Sequence, residues 1–136
     1  MTKITGGCLC GAVRYSTDVE PVPGRTVLCH CTTCQRHSGT AFAAIMAFPA
    51  GSITVTGPVK TYTEPGGQSG EPFHRRFCAE CGTPLIWERE GGPRSLVTAG
   101  TLDDKSLFKP RISIFCASAQ SWVPITEDTE NYPGYL

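Results

Sequence analysis

Neither sign of charge prevails in this chain. Twelve Lys and Arg residues meet twelve Asp and Glu, for a formal net charge of zero, and no run of basic residues is dense enough to answer a phosphate backbone. Nucleic acid is therefore not an expected partner. Long apolar runs are missing as well: no uncharged stretch approaches the ~20 residues that a bilayer-spanning helix requires. The opening residues MTKITGGCLCG lack the charged and apolar regions of a secretory leader. These absences lead to the expectation of a soluble, cytoplasmic chain with no membrane partner. Internal repeats and low-complexity segments are lacking too. A length of 136 residues suits one domain over residues 1–136, with a core modest enough for a bound metal to matter to its stability.

What the sequence does contain is a series of short apolar or alternating runs: AVRYST at 12–17, TAFAAIMAF at 40–48, SITVTG at 52–57, PLIWERE at 84–90, SLVTAGTL at 95–102 and RISIFCA at 111–117. They are rich in β-branched and aromatic residues, and stretches such as EGGPR and EPGGQSGEP supply the Gly and Pro that reverse a chain. The pattern predicts an all-β domain built from hairpins, with two short helical turns. One follows Cys31, capped by Thr32 or Thr33, and one lies in LDDKSLF, capped by Asp103. The segment PGGQSGEP at 65–72 reads as a loop able to cover a site.

The eight cysteines fall into groups: Cys8 and Cys10; Cys29, Cys31 and Cys34; Cys78 and Cys81; and Cys116 alone. In a reducing compartment such clusters point to metal binding or catalysis rather than disulfides. Residues i and i+2 of an extended segment share a side, so Cys8 and Cys10 can present two thiolates to one point, and CAECG is a knuckle that turns at Gly82. Two and two make the four ligands of a closed, tetrahedral zinc site. Cys29, Cys31 and Cys34 then form a three-thiolate set, which is the ligand number of a catalytic zinc with one exchangeable position. The expected cofactor is Zn2+, two per chain. Two alternatives close the second site: Cys116 or His30 as a fourth ligand. His30 lies between residues that share a side and so points away, and alternation places Cys116 with Ile112 and Ile114 on a core-facing side.

Arg36 and His37, just after the last of these cysteines, are candidates to offset the site's negative charge and contact a substrate carboxylate or carbonyl. Each is equally readable as a solvated or packing residue. Gly39 suits the turn out of the knuckle. Phe42, Phe73, Phe77 and Trp87 are expected in the core, with pocket lining as their second use.

With the thiols so grouped, the sequence resembles the glutathione-dependent formaldehyde-activating family, which includes centromere protein V. The resemblance is carried by GGCLCGAVRY at 6–15, CHCTTCQRHSGTAF at 29–42, FCAECGTPL at 77–85 and, more weakly, by the tail SWVPITEDTENYPGYL. It implies a zinc-containing folded β-sheet, the β-tent, with Cys8, Cys10, Cys78 and Cys81 as structural zinc ligands and Cys29, Cys31 and Cys34 as catalytic ones. It also implies a carbon–sulfur lyase activity that reversibly joins formaldehyde to glutathione as S-(hydroxymethyl)glutathione. The chain is shorter than enzymes assigned that activity, so the expected partners are a small thiol and an aldehyde, or their adduct, with glutathione one candidate. The alternative is a non-enzymatic zinc-stabilised scaffold or binding module.

Overall fold

A computed structural model describes residues 3–66 and 70–136. The central residues of PGGQSGEP, 67–69, lie outside the described residues. Strands β1 (Ile4–Gly7), β2 (Arg14–Thr17), β3 (Thr26–Cys29), β4 (Ala43–Pro49), β5 (Thr54–Thr56), β6 (Val59–Glu64), β7 (Phe73–Cys78), β8 (Pro84–Arg89), β9 (Arg94–Thr98), β10 (Ile112–Ile114) and β11 (Glu130–Asn131) alternate with one helix, α1 (Thr32–Ser38), and short 3-10 turns. The all-β expectation holds among the described residues. β1-β2-β5 form a small antiparallel sheet, and the larger sheet runs β11-β10-β3-β4-β9-β8-β7-β6.

Both faces of the large sheet are covered, which explains why its central strands read as apolar runs rather than clean alternations. Met46, Val97 and Ile86 are cross-strand neighbours on one face, packed with Ile4, Val13 and Tyr15 of the small sheet and its loop. Ile45, Leu96 and Trp87, each one residue along its strand, belong to the opposite face with Val27, Ile112 and Ile114. Phe48 and Trp87 are almost wholly buried, and each such aromatic contributes about 3 kcal/mol of transfer free energy. Gly6 lets the small sheet approach closely, since a Cβ there would overlap the Tyr15 ring and the Thr101 carbonyl oxygen.

The structure corrects several local expectations. Hairpins do not account for every pairing: β10 runs parallel to both β3 and β11. Parallel neighbours need a long connection, and here the chain between β3 and β10 crosses most of the sheet before returning. The helix cap is Cys31, whose sulfur accepts the Cys34 N–H, rather than Thr32 or Thr33. In the second turn the cap is Asp104, which accepts the Ser106 N–H, because Asp103 is drawn off to Arg14 and Thr5. β10 ends at Ile114, and Phe115 takes φ 55°. That left-handed residue breaks the alternation, so Cys116 leaves the strand face expected for it and opens a 3-10 turn.

Candidate metal centres and their surroundings

Cys8 and Cys10 lie in the loop between β1 and β2, Cys78 ends β7, and Cys81 lies in the turn between β7 and β8. The four sulfurs lie within 4.8 Å of one another. Cys10 Sγ is 3.6 Å from Cys8 Sγ and 3.8 Å from Cys78 Sγ, close to the edge of about 3.8 Å that a tetrahedron of sulfurs has around zinc at ~2.3 Å. Both arms end in a left-handed glycine: Gly11 (φ 82°) donates its N–H to Cys8 O, and Gly82 (φ 79°) donates to Cys78 O. The turned backbone aims further N–H groups at sulfur. Val13 N–H donates to Cys8 Sγ, and Glu80 and Cys81 N–H donate to Cys78 Sγ. At Cys8, burial pushes the thiol up, but the Val13 N–H together with Cys10 and Cys78 outweighs it and leaves the thiol below its usual range. The Thr83 hydroxyl, 3.1 Å from Cys81 Sγ, holds that thiol down to about 5, helped by the backbone at Thr83. The donor set and geometry fit a soft divalent metal.

The second cluster gathers Cys29 at the end of β3, Cys31 at the helix cap and Cys34 in the helix. Cys34 Sγ is 3.3 Å from Cys29 Sγ. Cys29 and Cys34 are buried, whereas Cys31 is partly exposed. Hydrogen bonds from Cys29, then Cys34, hold the Cys31 thiol far below its usual range, while the same contacts push Cys29 and Cys34 up. Of the three, Cys31 is thus the first to lose its proton. Among the described residues no fourth sulfur, imidazole or carboxylate joins these three. His30 is buried with its ring tilted against Phe42, 5.4 Å away between centroids, and Cys116 Sγ instead approaches Ser113 O. Two clusters that could hold metal ions therefore occupy opposite faces of the large sheet, one of four sulfurs and one of three.

Of the two candidates beyond the cysteines, Arg36 is exposed on α1 and His37 is half-buried. The His37 ring meets Trp87 edge-on, 5.1 Å between centroids. Burial, then the Arg75 charge, pull its pKa below the ordinary value and favour neutral imidazole. Gly39 caps the helix at φ 70°, as expected. Trp87 and Phe73 pack in the same cluster as the three cysteines.

Arg75 is the residue that sequence reasoning missed. It is 4% exposed, with its guanidinium 4.7 Å from the Phe73 ring centroid and 4.5 Å from that of Trp87. Its Nε donates to Glu64 Oε1 at 3.1 Å. The signal was present in FHRRF: Arg75 stands two residues from each of Phe73 and Phe77, an arginine in line with the apolar positions of a strand. Arg75 Nη1, Trp87 Nε1 and His37 Nδ1 are all buried without a hydrogen-bond partner. An orphaned buried polar group costs about 1–3 kcal/mol, so three in one contact cluster mark a place where something else supplies partners.

A family model described as glutathione-dependent formaldehyde-activating enzyme matches residues 3–118. Among solved structures, the chain is similar to the crystal structure of a Rhodobacter sphaeroides protein, at 21% identity and a TM-score of 0.56, over 78% of this chain and 96% of that one. At that identity the likeness bears on the fold alone. No curated protein matches. Among the described residues no helix is long and apolar enough to cross a membrane. The matched residues include every cysteine of both clusters, and the chain belongs to the glutathione-dependent formaldehyde-activating enzyme family.

Proposed function

We propose that the protein is a cytoplasmic, zinc-dependent carbon–sulfur lyase acting on a small thiol and an aldehyde, or on their adduct, in the manner of an S-(hydroxymethyl)glutathione synthase. The observation that carries this reading is the three-sulfur cluster, partly open at Cys31 and short of a fourth ligand among the described residues. In this reading Cys8, Cys10, Cys78 and Cys81 hold a structural zinc, and Cys29, Cys31 and Cys34 hold a second one. Zinc bound at the three thiolates would supply an open coordination position and a charge that favours the thiolate form of an incoming thiol.

The reaction adds a thiol across a carbonyl: a C–S bond forms, the C=O bond becomes C–OH, and the thiol proton ends on that oxygen. The reverse breaks the same C–S bond. His37, about one helical turn after Cys34 and with its Nδ1 buried and unpartnered, is assigned the role of carrying that proton. Trp87 and Phe73 pack in the same cluster as the three cysteines, and exposed Arg36 supplies positive charge at the outer edge of the helix.

Thiols and formaldehyde combine without a catalyst, so the test is exchange. With metal-replete protein, glutathione and other small thiols are mixed with formaldehyde, and the adduct–hydrate exchange rate is read by carbon-13 magnetisation transfer. The expected result is faster exchange with at least one thiol, lost in Cys31→Ser. Unaccelerated exchange across the panel would turn the reading to a zinc-stabilised scaffold.

A further inference from the structure

We propose that Arg75 and Trp87 form a carboxylate-binding subsite beside the three-cysteine cluster, and that the thiol accepted there carries a carboxylate group. This rests on the thiol-binding reading above and narrows its substrate class. Arg75 on β7 and Trp87 on β8 are directly paired across the two strands. The guanidinium is stacked between the Phe73 and Trp87 rings, so its orientation is set before any ligand arrives and little freedom is lost on binding.

Glu64 occupies only the Nε edge of the guanidinium. Nη1 remains buried and unpartnered, and so does the indole Nε1 of Trp87. Both are pure donors. A ligand that satisfies them must bring acceptors only, and a carboxylate brings two oxygens and the charge that strengthens each bond. Carbonyl or hydroxyl groups would fill one donor with a weaker bond. Position adds to the argument: Trp87 and Phe73 pack in the same cluster as Cys29, Cys31 and Cys34, and the Trp87 ring lies 5.1 Å from that of His37, about one helical turn past Cys34. One molecule carrying thiol and carboxylate a few bonds apart fits both.

The test compares 3-mercaptopropionate with 2-mercaptoethanol, which share a two-carbon spacer from sulfur to head group but differ in the anion, on the cobalt-substituted protein, with propionate added to the zinc form. Cobalt absorption reads thiol binding. The indole N–H resonance of Trp87 reads the subsite, with that of Trp122, which is 71% exposed, as internal control. Expected are a Kd for 3-mercaptopropionate at least tenfold below that for 2-mercaptoethanol, a Trp87 shift with 3-mercaptopropionate and propionate only, and loss of the discrimination in Arg75→Gln. Should that variant fail to fold, Trp87→Phe, which keeps the packing ring and removes the donor, is expected to lose at least fivefold of it. Equal affinity for the two thiols, or discrimination that survives in either variant, overturns the subsite and leaves thiol binding standing. A Trp87 shift with propionate while no thiol alters the cobalt spectrum supports the subsite and overturns the thiol reading. A Trp87 signal unmoved by every carboxylate overturns the subsite.

Discussion

Replacing Cys81 and Cys31 by serine, one at a time, separates a structural centre from an open one. A metal held by the four-sulfur cluster would join Cys10 to Cys78, 68 residues apart, and so tie the β1–β2 loop to the β7–β8 turn. A cross-link that closes a loop of this length removes unfolded-chain entropy worth about 4 kcal/mol at 25 °C. Loss of one ligand in four weakens that tie without abolishing it, so Cys81→Ser is expected to cost about 2–4 kcal/mol, against a total of roughly 5–15 for a domain. At this chain length that is a fall in Tm on the order of 10 °C. The sulfurs of the other cluster span only residues 29–34, a stretch already fixed by β3 and α1. Serine is also a favoured helix cap and can take over the Cys34 N–H that Cys31 Sγ accepts. Cys31→Ser is therefore expected to lower stability by less than about 1 kcal/mol while removing activity. Far-UV circular dichroism melts under reductant, with equal zinc loading at the start, measure both. Equal falls in Tm for the two variants would refute this division and indicate two structural centres.

Metal analysis of fresh protein is expected to give about two equivalents of zinc, of which mild chelation removes one, because three-ligand sites release metal more readily than closed ones. A single tightly held ion in reduced protein would contradict this. The Arg14–Asp103 pair and the Thr5 hydroxyl hold the Asp103 carboxyl below the usual range, so its contribution is present above the unfolded value near 3.9 and fades as pH falls through the folded one. Asp103→Asn should accordingly lower Tm at neutral pH, with the difference shrinking below about pH 4, and a difference that grows in acid would be the wrong sign. Gly6→Ala, whose Cβ would overlap Tyr15 and Thr101, is expected to cost about 3 kcal/mol in urea unfolding, and an unchanged midpoint would count against the sheet contact.

The two cysteine clusters were legible because each declares itself in local spacing: a C-x-C, a C-x-C-x2-C and a C-x2-C need only a turn apiece to converge, and the structure provides those turns at Gly11, Gly82 and the α1 cap. The central apolar strands β4, β8 and β9 were legible for a different reason, since burial on both faces leaves few polar interruptions. β2 and β5 of the small sheet fall within AVRYST and SITVTG and were legible too, whereas β1, β3, β6, β7 and β11 were not. β6, VKTYTE, is largely exposed and reads as an ordinary polar stretch, and β3 is four residues long. The parallel partnership of β3 and β10 leaves no local trace, because it depends on where the chain returns after about eighty residues. Phe115 at positive φ could not be foreseen, since a bulky residue gives no hint of left-handed backbone. Arg75 was obscured by its neighbour: an RR pair suggests solvent, and only the aromatic residues two positions either side show that one of the two turns inward.

The unequal sequence reach of the two clusters also sets an order of events during synthesis. Cys29, Cys31 and Cys34 leave the ribosome within six positions of one another, so all three thiols are available together while more than half of the chain is still unmade. Cys8 and Cys10 must wait, unpaired, until Cys81 emerges. At translation speeds of about 5–20 residues per second, that interval lasts several seconds. During it, the open cluster can take up whichever soft cation arrives first, and the Irving–Williams order places copper ahead of zinc. Under the proposed zinc reading, correct loading is thus governed by what the nascent chain meets as much as by the affinities of the finished one.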